Sequence, residues 1–304
     1  MNEIAVIGAG AWGTALAIQA ARAGQQVVLW ARTAPRGVVP AQVRVVRKLP
    51  KAGVALLAVP MQHLRTVAAG LEAATLIACC KGVEAGSDLL ALEVLAQVLP
   101  GRATGVLSGP NFAHEVIAGK PAAAVIAAVD GGVRDEVARL LGTPGFRLYG
   151  SDDPVGAQIG GAAKNVIAIA AGAVIGAGLG ENARAALVTR GLAEIGRLST
   201  ALGGRAETVA GLSGLGDLLL TCTGPSSRNF SLGLALGQGE TLAAILAARN
   251  SVTEGVATVP ALLARAAAVG VDMPICAAVE AVLRGRMSVA QAMEALLSRR
   301  RRDE

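Results

Sequence analysis

A glycine-rich loop close to the N-terminus most restricts the folds open to this chain. Ile4-Ala5-Val6-Ile7 has the composition of a short buried strand, and Thr14 to Ala23 is alanine-rich and helix-forming. The candidate phosphate-binding residues in the loop between them are Gly8, Gly10, Ala11, Trp12 and Gly13. Glycines allow close backbone approach, and the N–H groups and dipole of a helix N-terminus attract phosphate. The order strand, loop, helix predicts a dinucleotide-binding fold, although a lone G-x-G-x-x-G also occurs as a turn in other folds.

Length and composition predict two domains and an anionic small-molecule partner. The chain has 304 residues, more than a usual single domain. Hydrophobic residues make up 53% and aromatic residues 2%, so the core must consist of Ala, Val, Leu and Ile. The net charge of +6 suits an anion, but the scattered basic residues and scarce aromatics provide no stacking platform for single strands. We expect a phosphorylated metabolite and no nucleic acid.

The cysteines and the N-terminus favour a cytoplasmic protein without bound metal. Cys79, Cys80, Cys222 and Cys276 have no C-x-x-C spacing, which argues against structural zinc and for a reducing compartment. Met1-Asn2-Glu3 carries a negative charge where a signal peptide would be positive.

One apolar stretch, Val155 to Leu179, is long enough to span a membrane. Lys164 and Asn165 lie inside it, and a central lysine costs roughly 3 kcal/mol on insertion scales. We therefore expect no membrane insertion and a buried helix that contains a functional lysine.

The pattern of secondary structure changes near Asp153. Before it, short apolar runs predict strands; Asp153 as N-cap and Pro154 at the first helical position then predict the start of a helix. The predicted fold is α/β, with a Rossmann-like mostly parallel sheet in a dinucleotide-binding domain over 1–152 and an all-α substrate domain over 153–304. The helices predicted in the second domain cover 154–178, 182–202, 227–237, 241–248, 253–269, 274–285 and 288–298.

Residues 33–53 are unusual for a parallel sheet. Pro35, Pro40 and Pro50 leave no room for a helix, although parallel strands usually need a helical crossover. If Gln42 to Val46 is the third strand, an irregular loop connects it.

Arg32 follows the predicted second strand, Gln26 to Trp30, with Arg36 close behind. NAD-specific folds place Asp or Glu there to bind the ribose 2′-OH, whereas arginine accommodates a 2′-phosphate. Arg32 thus predicts NADPH as cofactor, unless it is simply an exposed residue at a strand end.

A series of short motifs extends along nearly the whole chain in a fixed order. They are Gly8 to Ala17, Ala58-Val59-Pro60, Lys81-Gly82, Ser108-Gly109-Pro110 with Phe112-Ala113 and Glu115, Lys164 to Ala168, Glu181 to Leu187, Gly214 to Leu218, Thr221-Cys222-Thr223, Ser227-Arg228-Asn229 and Glu254-Gly255. Together these motifs resemble those of the bacterial NAD(P)-dependent glycerol-3-phosphate dehydrogenases. The resemblance implies reversible reduction of dihydroxyacetone phosphate to sn-glycerol 3-phosphate, with NADPH or NADH, for phospholipid synthesis.

Lys164 is the candidate proton donor. Ketone reduction by hydride develops negative charge on the carbonyl oxygen, so a positioned acid is needed. Desolvation on an apolar helix should lower the pKa of Lys164 toward the working pH. The alternative is a lysine that reaches the surface along its aliphatic stem. The resemblance implies that Lys164 accepts the proton in alcohol oxidation and donates it in ketone reduction.

Asp217 is the second candidate catalytic residue. It precedes the apolar run Leu218 to Leu220, and a buried carboxylate needs a cationic or hydrogen-bonding partner. The resemblance implies a place in the substrate pocket, and pairing with Lys164 is our hypothesis. A helix N-cap is the structural alternative.

Ser227, Arg228 and Asn229 form the candidate phosphate-binding group. Arginine binds a phosphate dianion bidentately, and the short polar neighbours add hydrogen bonds. The resemblance implies that these three hold the substrate phosphate, that Arg228 also contacts the cofactor, and that Lys81 lies near both ligands. Arg228 and Lys81 could instead be surface charges.

The remaining site residues come from the resemblance alone. It implies that Gly109 and Asn111 line the substrate pocket and that Ala113, Val252 and Glu254 contact the cofactor. Glu254 could also be a first-turn carboxylate that a helix dipole favours. The sequence departs from the family at Asn111, where Ser or Thr is usual, at Met61, and in the shortened 33–53 region.

Two other functions fit part of the pattern. A two-domain β-hydroxyacid dehydrogenase would use Arg228 for a carboxylate, and an NADPH-sensing protein would bind the cofactor without chemistry. The apolar helix 182–202 allows a homodimer but could equally belong to the core.

Overall fold

An eight-stranded sheet forms the first half of the chain in a computed structural model that describes residues 4–33, 39–248 and 253–299. Its strands are β1 (Ile4–Ile7), β2 (Val27–Trp30), β3 (Val43–Val46), β4 (Lys51–Leu57), β5 (Glu72–Ala78), β6 (Ala103–Ser108), β7 (Ala122–Ala127) and β8 (Phe146–Ser151). The strand order is β3-β2-β1-β4-β5-β6-β7-β8, with every neighbouring pair parallel except β6 and β7. The predicted mostly parallel, Rossmann-like sheet is confirmed.

Helices separate most of the strands and then make up the second half. Those among the strands are α1 (Ala11–Arg22), α2 (Leu64–Ala68), α3 (Ala91–Val98), α4 (Ala113–Ile117) and α5 (Gly131–Leu141). Those after β8 are α6 (Pro154–Gly176), α7 (Gly180–Ala201), α8 (Ala206–Ala210), α9 (Asp217–Cys222), α10 (Arg228–Gly237), α11 (Leu242–Ala247), α12 (Glu254–Ala268), α13 (Pro274–Leu283) and α14 (Val289–Leu297). The division of the chain at 152/153 stays a prediction.

The topology places the ligand edge of the sheet next to the glycine loop. The strand order reverses at β1, which lies between β2 and β4. Ligands of open α/β sheets bind at such a switch point, outside the carboxyl ends of the strands. The loop after β1 and Lys81, which comes after β5, therefore lie on the same edge.

The irregular segment was predicted correctly where the structure describes it. The third strand is present as β3, and the described residues between β2 and β4 contain no helix. Residues 47–50 alone join β3 to β4. Arg36 lies outside the described residues.

The strand β8 was not predicted, because it lies at the edge of the sheet. Phe146 is its one buried side chain, and Tyr149 is 48% exposed. An edge strand needs no continuous apolar run, so the sequence pattern there is weak. The short helices α4, α8 and α9 and the eight-residue α3 were missed as well.

The membrane-like stretch forms the central core helix, α6. It is long and apolar enough to cross a bilayer, but 83% of its most apolar window is buried inside the fold. Asp153 caps it as predicted, accepting a hydrogen bond from Gly156 N at 2.8 Å. This agrees with the prediction of a buried helix.

Four glycines bring α6 and α10 into backbone contact. A Cβ at Gly172 or Gly176 of α6 would collide with the carbonyl oxygens of Phe230 and Leu234. Reciprocally, a Cβ at Gly233 or Gly237 of α10 would collide with backbone carbonyl oxygens of α6. The position of α10, whose N-terminus contains candidate phosphate ligands, therefore depends on residues without side chains.

We expect Gly172→Ala to destabilise the fold, because the added methyl group must push α10 away. Overpacking of this kind costs on the order of 1–3 kcal/mol, and guanidinium denaturation would measure the loss. Gly196→Ala in α7 is the matched control: no atom lies within 4 Å of its Cβ position. Gly196→Ala should stabilise α7 by about 0.5–1 kcal/mol. Equal effects of the two substitutions would contradict the packing argument.

Candidate functional site

The glycine loop has the shape that a dinucleotide phosphate requires. Gly8 has φ +114°, and a Cβ there would lie 2.9 Å from the Ala58 carbonyl oxygen. A Cβ on Gly13 would overlap the Gly8 carbonyl oxygen, whereas nothing lies within 4 Å of a Cβ on Gly10. Gly10 caps α1 without a side chain, so the first N–H groups of that helix remain for a ligand. The loop thus fits a pyrophosphate against its open side.

The centre of the candidate site is the carboxylate of Asp217, which is 1% exposed. Lys164 Nζ donates to Asp217 Oδ1 at 2.5 Å, and Lys81 Nζ donates to Asp217 Oδ2. Asp217 is the first residue of α9, but its side chain contacts the two lysines and does not cap the helix. The structure therefore contains the hypothesised pair of Lys164 and Asp217.

Thr221 completes this cluster, and sequence reasoning gave it no role. Lys164 Nζ donates to Thr221 Oγ1 at 2.8 Å, and Thr221 Oγ1 donates to the Asp217 carbonyl oxygen at 2.6 Å. A spacing of four residues on one helix puts Thr221 on the same face as Asp217. That spacing is the signal that could have identified it.

Two adjacent glycines of α6, Gly160 and Gly161, lie against the cluster. A π-helical turn, Leu212–Gly216, precedes Asp217 and packs on Gly160, where a Cβ would lie 2.7 Å from the Ser213 carbonyl oxygen. The stem of Lys81 passes Gly161, where a Cβ would lie 3.5 Å from its Cγ. A Cβ at Gly160 would therefore displace the turn before Asp217, whereas one at Gly161 would make only ordinary contact with the Lys81 stem.

Lys81 also contacts the first of the predicted pocket residues. Its Nζ donates to the Gly109 carbonyl oxygen at 3.2 Å. Gly109 has φ +135°, a conformation that favours glycine. Asn111 donates from Nδ2 to the Ala123 carbonyl oxygen at 2.9 Å, and its Oδ1 is buried with no partner among the described residues. Within the part of the chain that the structure describes, that oxygen is therefore an unused hydrogen-bond acceptor.

Burial and charge together tune Lys164. Burial lowers its pKa from 10.5 to about 8; the negative charge of Asp217 opposes this change and the positive charge of Lys81 adds to it. Two lysines share one carboxylate, so the cluster has one surplus positive charge and attracts an anion. The ammonium of Lys164 can lose its proton near neutral pH.

The N-terminus of α10 contains the predicted phosphate ligands Ser227, Arg228 and Asn229. Ser227 is its N-cap and accepts a hydrogen bond from Phe230 N at 3.2 Å. Arg228 is the first residue of the helix. Buried Asn229 donates to Asn165 Oδ1 at 2.8 Å and accepts from Gly255 N at 3.1 Å. Because Asn165 follows Lys164, these bonds hold the helix N-terminus beside the lysine cluster.

The remaining predicted residues lie around this centre. Glu254 begins α12; burial raises its pKa, and the charges of Arg228, Lys81 and Lys164 lower it. Ala113 begins α4, and Arg32 is exposed immediately beyond β2. Val252 lies outside the described residues. No group of three or more potential metal ligands occurs in the part of the chain that the structure describes.

Comparison with known proteins gives consistent matches over both halves. The family model described as NAD-dependent glycerol-3-phosphate dehydrogenase C-terminus matches residues 153–294, and the corresponding N-terminus model matches 3–48 and 35–133. The glycerol-3-phosphate dehydrogenase [NAD(P)+] of Gluconobacter oxydans is 53% identical over 98% of this chain and 97% of its own. That of Acidiphilium cryptum is 53% identical over 99% and 98%. A crystal structure of glycerol-3-phosphate dehydrogenase from Coxiella burnetii is similar with TM-score 0.93 and 35% identity, covering 98% of this chain and 99% of that one.

We expect Asp217→Asn to destabilise the fold, because the buried ammonium of Lys164 and the partly buried ammonium of Lys81 would lose their anion. Breaking a buried ion pair costs on the order of 3–5 kcal/mol, and chemical denaturation would measure it. Asp152→Asn is the control, since Asp152 pairs with Arg205 at the surface and should contribute little. A loss no larger than that of the control would show that Asp217 does not hold the cluster together.

Proposed function

Because the chain belongs to the NAD-dependent glycerol-3-phosphate dehydrogenase family, we propose that it catalyses the reversible reduction of dihydroxyacetone phosphate to sn-glycerol 3-phosphate. The observation that carries the proposal is the contact of buried Lys164 and partly buried Lys81 with the carboxylate of Asp217, next to the N-terminus of α10. That arrangement places an acid and an anion-binding element side by side. A phosphorylated ketone needs both.

The cofactor is NADPH, or NADH, and when bound it supplies the hydride. The residues proposed to hold it are those of the loop after β1 together with Arg32, Lys81, Ala113, Arg228, Val252 and Glu254. The shape of the loop supports this assignment, because Gly10 leaves the side facing the phosphates open.

Lys164 is proposed to handle the proton. As negative charge develops on the carbonyl oxygen, its ammonium donates a proton there, and in alcohol oxidation the neutral amine takes it back. Asp217 and Thr221 hold Nζ through their hydrogen bonds, so the ammonium has a fixed direction. Its pKa of about 8 allows both protonation states near neutral pH.

The substrate phosphate is proposed to bind at α10. Ser227, Arg228 and Asn229 lie at its N-terminus, where the helix dipole favours an anion. The surplus positive charge of the two lysines acts in the same direction. Gly109 and Asn111 would then face the hydroxyl end of the substrate.

The wider role follows from the product. We propose a cytoplasmic enzyme whose glycerol phosphate supplies phospholipid synthesis. A homodimer through α7 is also part of the proposal; exposed Thr189, Arg190 and Arg197 leave part of that helix uncovered.

The assay that tests the function is NADPH oxidation with dihydroxyacetone phosphate, compared with β-keto acids. The wild type should turn over the phosphate, and Lys164→Ala should lower kcat by roughly 10²- to 10⁴-fold because the positioned acid is lost. Lys120→Ala, at a surface pair with Glu115, should leave kcat unchanged. Turnover of β-keto acids alone would indicate the hydroxyacid reaction, and cofactor binding without turnover would indicate a sensor.

The pH profile should report the pKa of Lys164. Reduction requires the ammonium, which is present below its pKa, so kcat/KM for the ketone should fall as the pH rises above about 8. Oxidation requires the amine, so its kcat/KM should rise through the same pH. Stopped-flow rates in both directions would measure the two limbs. A decline that begins only near the ordinary lysine value of about 10.4 would contradict the assignment.

A further inference from the structure

The short connection after β3 places a second arginine beside the end of β2. In the parallel pair of β2 and β3, Trp30 lies opposite Val46, and Ala31 N donates to the Val46 carbonyl oxygen at 3.0 Å. Arg47 is therefore opposite Ala31, one residue before Arg32. Arg47 is the first residue after β3.

Two hydrogen bonds fix Arg47 there. Trp30 Nε1 donates to the Arg47 carbonyl oxygen at 3.0 Å, which holds its backbone against β2. Arg47 Nη1 donates to the Ala31 carbonyl oxygen at 3.3 Å, which holds its guanidinium at the strand end. Arg47 is exposed, and this contact uses one of the five N–H donors of a guanidinium. Arg32, the residue after Ala31, is exposed as well.

The region around β1 to β4 contains no acidic residue that could bind the ribose 2′-OH of NADH. The sequence contains no Asp or Glu between Glu3 and Glu72, a stretch that includes β1 to β4 and every connection between them. No carboxylate from this half of the sheet can bind a ribose 2′-OH. Arginine provides a planar fork that binds phosphate bidentately, which suits a 2′-phosphate.

We propose that Arg47 is a specificity-determining residue, which binds the 2′-phosphate of NADPH together with Arg32. The register of β2 and β3 presents this side chain, from the end of β3, directly at the end of β2. This inference rests on the proposed use of NADPH.

Calorimetric titration with NADP⁺ and NAD⁺ tests the inference without turnover. Arg47→Ala should weaken NADP⁺ binding by roughly 10-fold or more, the usual effect of a hydrogen bond to a charged group, and leave NAD⁺ binding unchanged. Arg47→Met, which keeps the aliphatic stem, should behave in the same way if the guanidinium is what matters. Arg32→Ala should have a similar effect, and the double variant should prefer NAD⁺.

Arg102→Ala is the matched control, because Arg102 is exposed before β6, at the opposite end of the sheet. It should leave both affinities unchanged. Equal weakening of NADP⁺ and NAD⁺ by Arg47→Met, or no weakening, would overturn the inference. Failure of the wild type to reduce dihydroxyacetone phosphate while it binds NADP⁺ selectively would reject the proposed function and leave this inference intact.

Discussion

The candidate site depends on one buried carboxylate. Asp217 binds Lys81, which follows β5, and Lys164, which belongs to α6. This carboxylate therefore connects the edge of the sheet to the helical half. Burying charges is costly unless each is paired and hydrogen-bonded, and here one anion serves two cations. The cluster therefore keeps a positive charge in a desolvated place. Burial of Lys164 is the main cause of its lowered pKa, and the charge of Lys81 adds to it. The surplus positive charge favours a phosphorylated substrate.

Glycine residues, which have no side chain, allow this contact to form. Gly160 admits the turn before Asp217, and the glycines shared by α6 and α10 bring the N-terminus of α10 alongside. The high glycine content of the chain thus has a specific function on α6. A methyl group at Gly160 or Gly172 would displace the turn before Asp217 or the backbone of α10.

Sequence reasoning predicted the features that local pattern determines and missed those that depend on distant contacts. The glycine loop, the capped start of α6 and the apolar setting of Lys164 are local, and the structure contains all three. β8 was missed because an edge strand buries one side chain of six. The contact of Arg47 with Ala31 depends on the register of β2 and β3, which no short motif encodes. The acid-free stretch up to Glu72 was visible in the sequence, but its meaning required the strand order.

The most direct test of the account is the pKa of the Lys164 ammonium itself. It can be measured by NMR titration of protein labelled with ¹³Cε-lysine, with Lys164→Arg identifying the signal. We expect titration near pH 8 in the wild type, and a lower pKa in Asp217→Asn, because the carboxylate favours the charged form. A Lys164 signal that titrates near the ordinary lysine value of about 10.4 and does not respond to Asp217→Asn would contradict it.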